Sequence, residues 1–242
     1  MRNNRHHGGA SGANVRPFER VIPAFAGMTA TRNTNMKRLW DISPPVSPTS
    51  PLFPGDEAYS QAWTTRIGPG CPVNLSAITM SPHIGAHADA PLHYADGERP
   101  IGEVDLTPYL GPCRVIHAIG CGALVRPEHL AHAVDGLPPR VLVRTCVAAP
   151  TEWSTEFSSF APETIIWLAG QGVKLVGIDS QSVDPANSKT LDSHQQLLAH
   201  DLRVLENLVL DAVPAGDYEL IALPLKLAIA DASPVRAILR EL

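Results

Sequence analysis

The chain has 242 residues, is 44% hydrophobic and 18% charged, and carries a formal net charge of −5. That length suits one large domain or two small ones, and the supply of Leu, Ile and Val excludes a wholly disordered chain. No run of about 18 uncharged apolar residues marks a transmembrane helix, and no basic stripe marks a nucleic-acid partner.

Residues 1–35 hold five Lys/Arg and one acidic residue, whereas the other 207 residues hold fourteen and twenty-three. This basic head has no sustained strand or helix period. Its apolar run from Val21 to Met28 is broken by Pro23 and Gly27, which is too interrupted for a signal-peptide core. Residues 1–35 are expected to be a disordered extension or an upstream reading-frame start, with the native start at Met36 and one domain over 36–242. His6 and His7 are read as tail residues.

The body opens with Leu39 to Ser43, an alternating strand ended by Pro44-Pro45, and then a proline-rich loop through Pro54-Gly55-Asp56. Val73 to Met80 alternates as a half-buried strand, while Cys113 to Ile119 and Val141 to Val143 are apolar runs of the buried-strand kind. Ala161-Pro162-Glu163 starts a helix through Leu168, ended by Gly170 and Gly172. Val173 to Ile178 reads as a strand and His194 to Leu198 as a helix or turn. Val204 to Val209, Tyr218 to Leu223 and Pro234 to Leu239 complete the strands. The mixed order predicts an α/β fold with a mixed sheet. Cys71, Cys113, Cys121 and Cys146 form no CxxC pair, so a reduced, cytoplasmic protein is expected.

The stretch Ser81 to Gly97, SPHIGAHADAPLHYADG, concentrates the chemistry. His83, His87, Asp89 and His93 fall within eleven residues. Pro82, Gly85 and Pro91 argue against a regular helix. On an extended path His87 and Asp89 point the same way, and Gly85 with three alanines lets the backbone approach a bound ion. Imidazole nitrogen and carboxylate oxygen are ligands for zinc and also suit manganese. A second polar group, Ser188 to His194 followed by Glu206, lies far along the chain. Glu206 interrupts an apolar run, where a carboxylate is costly unless paired or metal-bound. Spacing alone leaves His194 and His200 as alternatives.

His83-x-Gly85-x-His87-x-Asp89-x-Pro91-x-His93 resembles the signature of the cyclase-type metal-dependent hydrolases, most of all their bacterial kynurenine formamidase (arylformamidase) branch. The likeness extends from about Leu39 to Leu239 through WDISPP (Trp40–Pro45), PGD (Pro54–Asp56), KLVGIDSQSVDP (Lys174–Pro185), SKTLDSH (Ser188–His194) and LENL (Leu205–Leu208). The resemblance implies a swivelling β/β/α mixed-sheet fold, a homodimer and two zinc ions per chain, manganese being the alternative. By motif, His83 and His87 hold the first ion, Asp89 and Glu206 bridge both, and His194 rather than His200 binds the second. His93 is then the proton donor and acceptor. The aromatic residue before PGD lies by the substrate in this family; Phe53 stands there in place of the usual Trp.

The implied reaction is hydrolysis of N-formyl-L-kynurenine to L-kynurenine and formate, in tryptophan breakdown. Metal ions lower the pKa of water and polarise the formyl oxygen, and His93 returns a proton to the aniline nitrogen. Ser188, Asp192 and Asp231 are expected to orient the histidines, with Trp63 as a further pocket residue. Two alternatives stand beside this reading. One is a family member opening isatin or another cyclic amide; the other is a metal-binding interaction protein without turnover, against which His93 argues.

Overall fold

Seven strands make one mixed sheet, and alternation along each strand sorts its side chains into two cores. A computed structural model describes residues 37–242; the predicted extension, residues 1–35, lies outside the described residues. In chain order come β1 (Leu39–Asp41), β2 (Ser60–Thr65), β3 (Leu75–Thr79), β4 (His87–Asp89) and α1 (Pro91–Tyr94). There follow β5 (Leu110–His117), β6 (Leu124–Val125), α2 (Pro127–Leu130), β7 (Arg140–Arg144), β8 (Ser159–Phe160) and α3 (Pro162–Gly170). The last elements are β9 (Leu175–Ile178), α4 (Asp192–Ala199), β10 (Arg203–Leu205), β11 (Gly216–Ile221), β12 (Ala232–Pro234) and β13 (Ile238–Glu241).

The large sheet has the order β1-β13-β11-β5-β7-β9-β10. It is antiparallel from β1 to β5 and parallel from β5 to β10. Val141, Val143, Val176, Ile178 and Val204 face the helical side, where Ile165 and Leu168 of α3 and Leu197 of α4 cover them. Their neighbours Leu142, Leu175 and Leu205 face the opposite core, as the two-residue period of a strand requires. On that side lies the antiparallel pair β4–β12, whose Ala86, Ala88 and Ala90 share a core with Leu205 and Leu208. Small side chains let β4 lie close against the sheet, and the layering is β/β/α as expected. α3 begins at Pro162, where the missing N–H leaves no helical bond unmade.

Several elements differ from their expected form. The strand expected over Val73 to Met80 is β3, but it is exposed along its whole length, and so is its partner β2. The pair is a hairpin standing away from the core, so its alternation marks no buried face. The strand expected over Val204 to Val209 stops at Leu205, because Asn207 takes a left-handed conformation (φ 56°) and turns the chain. The single strand expected over Pro234 to Leu239 is two strands, β12 and β13, which pair with different partners.

Candidate metal centre

β4 and the end of β10 are joined by a reciprocal backbone bridge. The His87 N–H donates to the Glu206 carbonyl at 3.3 Å, and the Glu206 N–H donates to the His87 carbonyl at 3.1 Å. This brings the histidine-rich stretch against the carboxyl end of the parallel strands, where open α/β sheets place their ligands. His87 and Asp89 share one side of β4 by strand period. The turn before them depends on Gly85, which has φ +67° and where a Cβ would meet Val46 Cγ2 at 2.8 Å. His93 lies on α1 and His194 in the first turn of α4.

His83, His87 and His194 each have one ring nitrogen held by an acceptor of the chain. His87 Nδ1–H donates to the Gly85 carbonyl at 2.9 Å, His194 Nδ1–H to Asp184 Oδ2 at 2.7 Å, and His83 Nε2–H to Asp231 Oδ2 at 3.0 Å. The other nitrogens meet two buried carboxylates. Asp89 Oδ1 lies 3.0 Å from His83 Nδ1 and 3.4 Å from His87 Nε2, while its Oδ2 lies 3.4 Å from His194 Nε2. Glu206 is turned the same way, with Oε2 3.3 Å from His87 Nε2 and Oε1 3.7 Å from His194 Nε2. Glu206 Oε1 also accepts the Val183 N–H at 2.7 Å.

Close approach here does not mean mutual satisfaction. His87 Nε2 and Asp89 Oδ1 are fully buried yet lack an aligned hydrogen-bond partner. Nitrogen and oxygen atoms gathered this way, without alignment on one another, fit a cation held among them. One ligand atom from each of His83, His87 and Asp89 lies within 4.8 Å of the others, and so do atoms of Asp89, His93 and His194.

The electrostatics of the metal-free site agree. Burial works against charge on His83, but the Asp231 and Asp89 carboxylates outweigh it and hold the imidazole up at about 10. Burial likewise opposes charge on His194, and Asp184, Asp89 and Glu206 raise it to about 10. Burial would raise Asp89, yet His87, His194 and His83 hold it well below the usual carboxylate range.

His93 stands at the edge of this cluster. Its side chain is 32% exposed, and its ring lies 4.3 Å from that of His83 and 5.8 Å from that of His194. Its Nδ1 approaches Asp231 Oδ2 at 3.4 Å, so one carboxylate serves both His83 and His93. His83, His87, His93, His194, Glu206 and Asp231 border a cavity of about 400 Å³. Its lining includes the aromatic residues Phe53, Trp153 and Phe157.

The structure therefore gathers His83, His87, Asp89, His93, His194 and Glu206 in one place and sets Phe53 on the same cavity. His200 is excluded: it caps the far end of α4 and is exposed. Trp63, expected in the pocket, lies instead on the exposed strand β2. Of the three expected orienting residues, Asp231 holds His83 and His93. The Ser188 hydroxyl accepts the Leu191 N–H as a turn residue, and Asp192 begins α4. Sequence reasoning missed Asp184, the partner of His194, and the wall residues Trp153 and Phe157. The stretch SVDP contains that aspartate, but nothing in its spacing ties it to His194.

The family model described as putative cyclase matches residues 40–185 of the chain. A kynurenine formamidase of Bordetella pertussis is 69% identical over 208 residues, which are 86% of this chain and 100% of that protein. Among solved structures, a protein described as a predicted metal-dependent hydrolase from Bacillus stearothermophilus is 26% identical. It superposes with a TM-score of 0.74 over 85% of this chain and 99% of its own. Isatin hydrolase A from Labrenzia aggregata is 21% identical, with a TM-score of 0.72 over 84% of this chain and 93% of its own, a likeness of fold.

Proposed function

The chain belongs to the putative cyclase family, and on that premise we propose that it hydrolyses N-formyl-L-kynurenine to L-kynurenine and formate in tryptophan breakdown. It is a hydrolase of the arylformamidase kind, and 69% identity along the whole length of a kynurenine formamidase supports that substrate. The cyclic-amide alternative has only a likeness of fold behind it.

The observation that carries the site assignment is the orientation of three histidines. Each has one nitrogen tied to the chain and the other turned to Asp89 or Glu206. Two divalent ions fit this donor set. His83 and His87 would hold the first and His194 the second. Asp89 and Glu206 would serve both, since each carboxylate turns one oxygen toward His87 and the other toward His194. Nitrogen and oxygen donors of this kind suit zinc, with manganese as the alternative. A bound ion here acidifies water and polarises a carbonyl oxygen.

The chain's own groups complete the chemistry. His93 Nδ1 is turned to Asp231, which leaves Nε2 to take the proton from the attacking water. As the C–N bond breaks, the same nitrogen returns a proton to the aniline nitrogen, a poor leaving group as an anion. Two ligand carboxylates would leave two divalent ions with surplus positive charge, which would favour a developing oxyanion. Phe53 borders the same cavity and is the proposed rest for the aryl ring of the substrate.

The assembly proposed is a homodimer. The β2–β3 hairpin exposes Trp63, Leu75 and Ile78, apolar surface of the kind that another subunit covers. A cytoplasmic location is proposed as well; all four cysteines are unpaired, which suits a reducing compartment. Among the described residues no helix is long and apolar enough to cross a membrane.

The test is elemental analysis of the purified protein coupled to steady-state turnover. About two zinc ions per chain, loss of activity on strong chelation, and preference for N-formylkynurenine over isatin are expected. Activity that survives metal removal would reject the metal assignment, and isatin as the better substrate would reject the formamidase assignment.

A further inference from the structure

The aromatic part of the cavity lining depends on a loop that the proposed chemistry does not use. The loop comes after β7 and carries Trp153, whose ring meets Phe53 edge-on at 5.0 Å between centroids, with planes at 70°. Phe157 continues the wall, 6.2 Å from Trp153. Phe53 is 51% exposed, and its aromatic contact is with Trp153.

A loop without regular structure needs some fixed point to hold an indole in place, and Gln181 provides one. This side chain, only 8% exposed, stands beyond the carboxyl end of β9. Its Oε1 accepts the Ser154 N–H at 3.3 Å, and its Nε2–H donates to the Glu152 carbonyl at 3.1 Å. One amide thus clasps the residues immediately before and after Trp153, as a neighbouring strand would. Gln181 and Trp153 both border the cavity that holds His93.

Resting on the formamidase reading, we propose that Trp153 is a specificity-determining residue for the aryl part of the substrate, and that Gln181 is its positioning residue. Phe53 and Trp153, packed edge-on, form one aromatic corner of the cavity, and an aniline ring resting in that corner gains contacts from both rings while its formyl group faces the histidines. An aliphatic formyl compound gains little there. The wall therefore distinguishes aryl from alkyl substrates through binding, and leaves the proton transfers of His93 untouched.

The experiment measures kcat and KM of the metal-loaded full-length protein for N-formylkynurenine, and the ratio of kcat/KM for phenyl formate over ethyl formate. Trp153→Ala is expected to raise KM for N-formylkynurenine about tenfold with kcat within about twofold, and to lower the phenyl-to-ethyl ratio by a similar factor. Trp153→Phe is expected to retain most of both. Gln181→Leu is expected to act in the same direction and to add little in the Trp153→Ala background, because it acts through Trp153. If alanine at 153 prevents folding, Trp153→Leu reads the same ratio. An unchanged ratio in the Trp153 variants overturns the specificity role. Full additivity of the Gln181 and Trp153 changes overturns the positioning role. A wild-type protein inactive on N-formylkynurenine rejects the formamidase reading separately, while the ester ratio still decides the role of the wall.

Discussion

Replacing Asp184 by asparagine removes a charge with almost no change of shape, and its cost falls on His194. Asp184 Oδ2 accepts both the Nδ1–H of His194 at 2.7 Å and the backbone N–H of His194 at 3.0 Å, while Oδ1 accepts the Ser193 N–H at 2.9 Å. The side chain is 3% exposed. Burial would raise its pKa, yet the His194 and Ser193 bonds hold it below the usual carboxylate range. An asparagine has one acceptor oxygen, so its NH₂ group must face either the Ser193 N–H or the His194 donors. In the first case two donors collide at the start of α4. In the second the imidazole is driven to its other tautomer, and the nitrogen facing Asp89 carries the proton. Loss of such an orienting carboxylate costs about 10–100-fold in metal affinity, or about 1.4–2.8 kcal/mol. A competition titration against a chromophoric chelator measures it. Turnover of the variant at saturating metal is expected to recover in large part, because His93 and Asp231 are untouched. Metal affinity within threefold of the wild type would refute the view that Asp184 sets the tautomer of His194.

The same geometry fixes three other outcomes. His93→Asn is expected to retain metal and lose most turnover, whereas Asp89→Ala loses both; elemental analysis beside activity separates them, and an emptied site in the His93 variant would overturn its role. Gly85→Ala places a Cβ 2.8 Å from Val46 Cγ2 at φ +67°. The left-handed conformation alone costs an L-residue about 1–2 kcal/mol, read as a fall in Tm of about 2–8 °C, with weaker metal binding as the His87 anchor shifts; an unchanged Tm would count against this account of the turn. Finally, His83 and His194, held at about 10, carry extra protons at pH 7 in metal-free protein. A metal takes only the neutral imidazole, so loading releases protons, seen as a binding enthalpy that varies with the ionisation enthalpy of the buffer; no such variation would show that these imidazoles are already neutral.

The parts of the site legible in the sequence are those whose chemistry is local. His83, His87, Asp89 and His93 sit close together because one turn, one short strand and one helical turn present them in succession. His194 and Glu206 are separable from neighbours such as His200 only through family motifs, since their meeting with β4 is a matter of tertiary packing. Asp184 and Gln181 are not legible for a related reason. Each acts by hydrogen bonds to a backbone segment elsewhere, and no residue type or period marks such a contact. Core strands β7 and β9 are clear because burial on both faces makes them continuously apolar. β2 is not foreseen, because Ser60 to Thr65 is exposed on both faces and no burial imposes a pattern on it. β6 and β8, two residues each, are shorter than any period.

The reciprocal bridge between His87 and Glu206 also orders events on the ribosome. β4 has its other edge on β12, where Asp89 stands opposite Ala232. The histidine stretch emerges early, but the strands that fix it on both edges are among the last to be synthesised. Until then its imidazoles have no fixed geometry to offer an ion, and Glu206 and His194 are still to come. On the proposed ligand set, metal capture would then be a late step, and a chain truncated before β12 would carry all five proposed ligands without the strand that pairs with β4.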